Sequence, residues 1–347
     1  MNFRASYFMG EARNIMRIMV FDLPADSRGA MTILLQYYGE ALEKRDIRWT
    51  FVVGVADLAD AENVEVLKYP WVKKSWFHRL YFDWFLARRI VKKYRPDEIL
   101  SLQNVVIPGT KVKQTLYLHQ PLPFDKKRFS LFEDAKLWMY QNLISREIFH
   151  SVRAADTVIV QTEWMKRACI GKTGVDGEKI RVIPPAISPH ALRHRYRSAS
   201  NPYLFFFPAG AYRYKNHACI VDAVTHLSAR GATGFRIIFT LRGDETKNIR
   251  RLHKAVCERS LPIDFIGPLD SARVYEYYEK SALLFPSYVE TFGLPLLEAA
   301  ACGCPVIASD CEFAHEILDR GGNALFFDPQ NAEALAEKVA QVLAEIR

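Results

Sequence analysis

Short β-rich runs alternate with helical segments along most of this chain, and this alternation limits the folds that it can adopt. The first run, residues 17–21, precedes a polar loop and a segment of helical apolar periodicity over residues 30–42. Strands alternating with helices of this length predict parallel sheets built from right-handed crossovers. Further β-rich runs are 49–53, 98–102, 115–118, 157–161, 181–183, 203–208, 235–241, 263–267, 283–286, 306–308 and 324–327.

The chain length and one proline-rich stretch predict two domains. Hydrophobic cores tend to split beyond ~250 residues, and this chain has 347. Residues 184–202 contain four prolines and no core pattern. We therefore predict an N-terminal Rossmann-like domain at 1–190, a linker at 191–202 and a C-terminal Rossmann-like domain at 203–347. Two doubly wound α/β domains would face each other across a cleft, which is the default ligand site.

Several classes of protein are disfavoured by composition. The six cysteines form no C-x-x-C pair, so we expect buried reduced thiols rather than a zinc site or disulfide framework. No run of 18 apolar residues occurs, and the first 15 residues lack the apolar core of a signal peptide. These features predict a cytoplasmic enzyme.

Positive charge is concentrated in the first half of the chain. Residues 1–190 hold 29 Lys/Arg and 21 Asp/Glu, whereas residues 191–347 hold 18 of each, so the first half carries all of the net +8. Residues 68–95, called here the basic aromatic segment, contain nine basic residues, one acid and several aromatics. One interpretation is a surface that settles on anionic lipid headgroups. The other is a helix with a packed aromatic side and a solvated basic side.

The stretch LLFPSYVETFGLPLLEAAACGCPVIA, residues 283–308, is the most informative. A buried strand ends at Ser287, and after a loop a helix opens near Pro295 and closes at Gly303. The positive end of that helix suits a diphosphate without any side chain being used. The backbone N–H groups that would point at it belong to Phe292, Gly293 and Leu294.

Two glutamates in this stretch suit opposite ends of one elongated ligand. Glu290 lies in the loop and Glu298 lies eight residues later in the helix. Each carboxylate can accept from a pair of hydroxyls, and two vicinal diols separated by a diphosphate describe a nucleotide sugar. Gly293 would allow close approach of the phosphate, because a Cβ would stand in the way.

The block resembles the signature of retaining GT-B glycosyltransferases of family 4. The resemblance implies that Glu290 contacts the transferred sugar, that Glu298 contacts the ribose and that Thr291 belongs to the donor loop. A second match, residues 206–217, is similar to the family's "KNH" variant at Lys215 and Asn216. It implies that Lys215 stabilises the departing diphosphate.

Three further positions follow the resemblance more loosely. Relatives carry an Arg about five residues before the Lys, and whether Arg213 substitutes for it is left open. His119 resembles the histidine that touches the transferred sugar, and Gly29 follows the first strand where relatives often have a Gly-Gly pair.

Residues 121–132 are either a mobile acceptor-side loop or a solvated one. Relatives usually continue beyond the last helix into a segment that crosses back to the first domain, whereas this chain stops there; the expectation is either weakened domain closure or a shortened version of the family's chain.

Together these observations predict a retaining hexosyltransferase that moves a sugar from a UDP- or GDP-sugar to a glycan or lipid-linked acceptor. The expected setting is bacterial surface polysaccharide synthesis, lipopolysaccharide included, with possible peripheral contact with an anionic membrane on its inner face. No Asp-x-Asp triplet occurs, so we expect no metal and no cofactor beyond the nucleotide sugar. A non-hydrolysing sugar-nucleotide epimerase and a catalytically silent sugar-nucleotide-binding subunit are the rival hypotheses. A nucleic-acid partner is not expected, because the second half is neutral.

Overall fold

The computed structural model describes residues 15–26, 28–187, 191–197, 203–319 and 324–345. Within these ranges, thirteen strands and twelve α-helices alternate. The strands are β1 (Arg17–Asp22), β2 (Arg48–Val53), β3 (Val64–Lys68), β4 (Glu98–Ser101), β5 (Lys113–Tyr117), β6 (Thr157–Val160), β7 (Ile180–Val182), β8 (Tyr203–Phe207), β9 (Phe235–Phe239), β10 (Ile263–Phe265), β11 (Ser281–Phe285), β12 (Val306–Ser309) and β13 (Ala324–Phe327). The helices are α1 (Arg28–Glu43), α2 (Trp76–Tyr81), α3 (Ala87–Tyr94), α4 (Ala135–Met139), α5 (Ser145–Ala154), α6 (Glu163–Thr173), α7 (His217–Ala229), α8 (Lys247–Glu258), α9 (Ser271–Tyr278), α10 (Leu294–Cys302), α11 (Glu312–Leu318) and α12 (Ala332–Glu345).

The first sheet has seven strands in the order β3-β2-β1-β4-β5-β6-β7. Phe21 of β1 lies opposite Val52 of β2 and Ser101 of β4, and both pairings are parallel. The central strands are near-continuous apolar runs because side chains pack on both faces of the sheet. The strand order reverses between β1 and β4, and this switch point is where open α/β sheets bind ligands.

The second sheet has six parallel strands in the order β10-β9-β8-β11-β12-β13. Its switch point lies between β8 and β11, where Leu283 pairs with Phe206. Every residue of β11 is buried. The predicted fold class, two doubly wound Rossmann-like sheets, is confirmed.

One strand escaped the sequence analysis. β3 is an edge strand of five residues, and only Val64 in it is buried. Its sequence Val-Glu-Val-Leu-Lys mixes charges with apolar residues, as is usual where one side of a strand faces water. A search for apolar runs therefore passes over it.

The described residues form two compact units. The first comprises the described residues within 1–119 together with 147–159 and 178–180, and the second comprises 120–146, 160–177 and the described residues within 181–347. Of the predicted linker, residues 198–202 lie outside the described residues. In the remainder, the N–H of Tyr196 donates to the carbonyl of Cys302 at 2.7 Å. The predicted boundaries at 190 and 203 stay predictions.

The basic aromatic segment is largely helical. After a 3-10 turn (Pro70–Lys74), α2, a π-helical turn (Phe82–Leu86) and α3 follow one another directly. Phe82 and Ile90 are buried in the core, and Trp71 packs against it. The interpretation of a packed aromatic side therefore holds for Phe82 and Trp71, whereas the other aromatic side chains of α2 and the π-helical turn are exposed: Trp76, Phe77, Tyr81, Trp84 and Phe85.

The expectation of buried thiols holds for four of the six cysteines, whereas Cys311 is partly exposed and Cys257 is exposed. All six thiols are free. Cys257 is exposed because it lies on the solvent side of the amphipathic helix α8. No helix in the described ranges is long and apolar enough to cross a bilayer.

Candidate active site

The loop between β11 and α10 has a conformation that only its glycine adopts easily. Gly293 is the residue before α10 and has φ +88° and ψ +55°, in the left-handed region. Pro295 lies in the first turn of the helix, where a missing N–H costs nothing, and Gly303 ends it at φ +75°. These predicted helix boundaries are confirmed. The required positive φ gives Gly293 a backbone role in addition to the predicted close approach of a phosphate.

Lys215 and Glu290 lie together in the second unit. The Lys215 ammonium donates to Glu290 Oε1 at 2.5 Å, and both side chains are more than four-fifths buried. Lys215 ends the turn after β8, and Glu290 lies in the loop after β11, so each follows one of the two strands at the switch point. Without a ligand each charge neutralises the other. A diphosphate on the ammonium and a sugar hydroxyl on the carboxylate would replace this pair.

Asn216 fixes the turn that carries Lys215. It precedes α7 at φ +62°, and its side-chain amide donates to the carbonyl oxygens of Pro286 at 3.1 Å and Pro329 at 2.8 Å. Both amide hydrogens are therefore committed to the backbone of neighbouring loops. In this state Asn216 positions Lys215, and its predicted contact with a donor stays a prediction.

Glu298 is held by two tyrosines of α9 that the sequence analysis did not single out. Its carboxylate accepts from the hydroxyls of Tyr275 at 3.1 Å and Tyr278 at 3.3 Å. Burial raises the pKa of this carboxyl, and the two hydrogen bonds partly offset the effect. The tyrosines hold the carboxylate in one orientation while leaving it further acceptor sites. The signal was the aromatic run Tyr-Glu-Tyr-Tyr at residues 275–278.

Arg213 does not join the Lys215–Glu290 pair. Its guanidinium makes an ion pair with Glu133 at 3.2 Å and also donates to that residue's carbonyl. Both line a cavity of about 100 Å³ in the second unit, where Lys127 lies 3.5 Å from the ring centre of Tyr288. Arg213 is thus engaged by Glu133 in the ligand-free structure, and its contact with a donor stays a prediction.

The rest of the donor loop is anchored from the first half of the sequence. Thr162, which precedes α6, donates its hydroxyl to the carbonyl of Thr291 at 2.8 Å. Phe292 is buried, and Leu294 opens α10. The N–H of Leu296 returns to the carbonyl of Gly293 at 2.8 Å. The loop residues predicted to bind the donor are thus held in one place, and their contact with it stays a prediction.

The first unit contains the other two predicted positions. Gly29 lies in the first turn of α1. His119 lies two residues beyond the end of β5, and its backbone N–H donates to Asn104 Oδ1 at 2.8 Å. Burial lowers the pKa of His119 to about 4, so the ring is neutral at pH 7. A neutral imidazole can still exchange hydrogen bonds with sugar hydroxyls.

Two buried polar residues at the first switch point were missed. Asp22 ends β1 and Gln103 follows β4, and no side-chain oxygen or nitrogen of either finds a hydrogen-bond partner among the described residues. Burial raises the pKa of Asp22 to about 7, although the nearby N–H of Ala25 and the charges of Arg79 and Lys73 lower it. The signal was available, because polar residues at or shortly after the carboxyl ends of buried strands often mark a site.

Cavity size alone does not locate the site. A larger cavity of about 440 Å³ lies at the amino ends of β1 and β2, lined by residues such as Arg17, Arg48 and Tyr94. Ligands of doubly wound sheets bind at the carboxyl ends instead, where Lys215, Glu290 and His119 lie.

Comparison with known proteins decides the family. The family model described as Glycosyltransferase Family 4 matches residues 31–191, and the model described as Glycosyl transferases group 1 matches residues 190–345. Together they account for nearly the whole chain. The chain belongs to the GT-B glycosyltransferases of family 4. The resemblance based on the block around Glu290 and Glu298 is confirmed, and with it the assignment to the transferases.

Individual relatives of this glycosyltransferase are distant. The O-antigen chain mannosyltransferase RfbU of Salmonella typhimurium is 24% identical over 265 residues, which are 75% of this chain and 69% of that protein. Alignments with the next curated relatives cover less than half of those proteins.

Solved structures agree on the fold. The structure of Anabaena HepE in complex with UDP and glucose has a TM-score of 0.65 and 19% identity, covering 94% of this chain and 90% of that one. A putative UDP-N-acetylglucosamine 2-epimerase from Listeria monocytogenes has a TM-score of 0.59 and 12% identity, covering 95% and 88%. Since a protein described as a putative epimerase shares the architecture of this glycosyltransferase, the fold alone does not separate the two activities.

Proposed function

We propose that this glycosyltransferase moves a hexose from a UDP- or GDP-sugar to a glycan or lipid-linked acceptor, with retention of configuration and without a metal ion. The observation that carries the proposal is the buried Lys215–Glu290 pair at the switch point of the second sheet. The Lys215 ammonium suits a diphosphate, and the Glu290 carboxylate suits a sugar hydroxyl. UDP and glucose in the similar HepE structure support this class of donor.

In the proposed reaction, the bond between the sugar's anomeric carbon and the diphosphate oxygen breaks. The acceptor oxygen bonds to the same face of that carbon, and its proton passes to the departing diphosphate. Lys215 and the backbone N–H groups at the start of α10 stabilise the charge gained by the diphosphate. This neutralisation is the basis for expecting no metal requirement.

Bacterial surface polysaccharide is the proposed product, because the similar RfbU protein is named for the O-antigen chain. The charge excess of residues 1–190 supports an acceptor at the inner face of a membrane. The rival epimerase activity is less well supported, because the family models and the motif around Glu290 and Glu298 are those of transferases.

The test is a thermal-shift panel of UDP-, GDP-, ADP- and CMP-sugars, followed by nucleotide release with the best stabiliser. Glu290→Gln should lower turnover at saturating donor while binding of free UDP or GDP stays at least as tight, because Lys215 loses its internal partner. Unchanged turnover in Glu290→Gln would remove the sugar-contact assignment. Epimerised donor without nucleotide release would favour the epimerase instead, and binding without turnover the silent subunit.

A further inference from the structure

The outer side of the basic aromatic segment is an apolar surface. Along α2 and the following π turn, six large apolar side chains, called here the aromatic ridge, are each exposed over half or more of their area. They recur at i, i+1, i+4, i+5, i+8 and i+9, which is one side of a helix. The ridge consists of Trp76, Phe77, Leu80, Tyr81, Trp84 and Phe85.

The ridge is separate from the core beneath it. Phe82 is fully buried within the same helical stretch, and Trp71 packs on the core, so neither belongs to the ridge. The acid of this segment, Asp83, is paired with Arg79 at 2.6 Å and partly buried. No acidic side chain of the segment is therefore free beside the ridge.

Exposed cations flank the ridge at both ends. Lys74 precedes it, and five exposed cations follow it on α3 or directly after it; none of the six has an ion pair with another described residue. The five are Arg88, Arg89, Lys92, Lys93 and Arg95. A cationic rim without a free acid, placed around exposed tryptophan and tyrosine, matches anionic headgroups over an acyl layer.

We propose that the aromatic ridge inserts into the headgroup region of an anionic bilayer while the flanking cations bind the lipid phosphates. The docking deepens the proposed function, since it would bring the chain to a lipid-linked acceptor. Insertion of the ridge predicts something that attraction between charges does not: part of the membrane binding persists at high ionic strength. Apolar insertion is little affected by ionic strength, whereas attraction between exposed charges is largely screened at high salt.

Vesicle cosedimentation of the full chain tests the proposal. The probe is vesicles with about 30% phosphatidylglycerol in phosphatidylcholine, at low salt and at about 0.5 M NaCl. We expect the wild type to bind at low salt and to retain a bound fraction at high salt. Phe77→Ser/Trp84→Ser should lower the high-salt partition coefficient about tenfold or more, because two large apolar side chains are lost.

Two controls separate insertion from other effects. Leu35→Ser/Val55→Ser removes two half-exposed apolar side chains elsewhere in the first unit and should bind like the wild type. Quenching of tryptophan emission by lipids brominated in the acyl chains should occur in the wild type and weaken in Trp84→Phe, which keeps an aromatic ring. Both ridge variants should keep the wild-type melting temperature, since the replaced side chains are exposed.

Each remaining outcome overturns the proposal. The proposal is wrong if the chain does not bind vesicles at low salt or is released completely at high salt. It is also wrong if Phe77→Ser/Trp84→Ser binds like the wild type. Dimers that the double variant dissociates, without vesicle binding, would assign the ridge to a second copy of the chain. Calorimetric binding of nucleotide diphosphate to the same variants should be unchanged, so failure of the ridge and failure of the donor site are distinguishable.

Discussion

At the scale of single residues, the candidate site is a set of charges that neutralise or orient one another. Lys215 and Glu290 form a buried pair, and Glu298 is oriented by Tyr275 and Tyr278. A buried charge left without its partner is costly, so removing either member alone would leave an uncompensated charge in the ligand-free site.

Lys215→Ala and Glu298→Gln should each weaken binding of UDP or GDP. We expect a loss of about 1.5–3 kcal/mol, the range for hydrogen bonds to charged groups. Glutamine at 298 can accept from one tyrosine hydroxyl with its oxygen and donate to the other with its amide, so the loss should not come from misfolding. Lys254→Ala, at an exposed lysine of α8, serves as the control for isothermal titration. Wild-type affinity in both site variants would remove the donor-site assignment.

Asp22 should make the first unit less stable as pH rises. Its folded pKa is about 7 and its unfolded value is 3.8, so between about pH 4 and 7 the unfolded chain loses the proton that the folded chain keeps. The free energy of unfolding therefore falls through this window, by roughly 4 kcal/mol at most, and stays low above it. Lys73, Arg79 and Asp26 are the charges that act on Asp22.

Urea unfolding from pH 4 to 8 measures this dependence. Asp22→Asn should flatten the profile and be more stable than the wild type at pH 8, because asparagine remains neutral. Asp57→Asn, at a fully exposed carboxylate of the same unit, should leave the slope as it is. Equal slopes for the wild type and Asp22→Asn would contradict the raised pKa.

At the scale of elements, the strand-loop-helix unit from β11 to α10 presents the donor loop. Its backbone path depends on one left-handed residue before the helix, Gly293. A Cβ at Gly293 would also lie 3.2 Å from Leu296 Cδ1, which is tighter than ordinary packing.

Gly293→Ala should destabilise the second unit by about 1–3 kcal/mol, because a residue with a Cβ is strained at this φ. Gly39→Ala is the matched control: Gly39 lies within α1, and a Cβ there meets nothing within 4 Å. That change should raise stability by about 0.5–1 kcal/mol, since alanine favours helices. Chemical denaturation of both variants measures the contrast, and a loss at position 293 no larger than at position 39 would contradict it.

At the scale of the whole molecule, each compact unit is built from stretches that are separated along the chain. The second unit takes residues 120–146 and 160–177 from the first half of the sequence. Glu316 of α11 accepts from the backbone N–H groups of Glu163 at 2.7 Å and Trp164 at 3.0 Å, so a carboxylate distant in sequence caps the start of α6. The positive end of the helix favours this charge.

Glu316→Ala should destabilise the second unit by about 1–2 kcal/mol, the usual effect of losing a helix cap. Glu337→Ala, at an exposed glutamate of α12, should change stability little. Hydrogen exchange at the amides of Glu163 and Trp164 should accelerate only in Glu316→Ala. Unchanged exchange there would show that the cap does not hold in solution.

The sequence by itself determined the fold class, twelve of the thirteen described strands, the bounds of α10 and the family. Each of these features depends on a short stretch of sequence: apolar runs, Gly and Pro at helix ends, or one continuous motif. The edge strand β3 was missed because its half-exposed pattern is weak.

Only the tertiary structure decided which distant side chains meet. Lys215 and Glu290 are 75 residues apart, and their pairing depends on β8 and β11 being neighbours in the sheet. The same holds for Glu298 with its tyrosines and for Thr162 with Thr291. Composition also could not separate Trp71, which packs on the core, from Trp84, which is exposed. Burial belongs to the packed chain, because it depends on which elements cover a side chain.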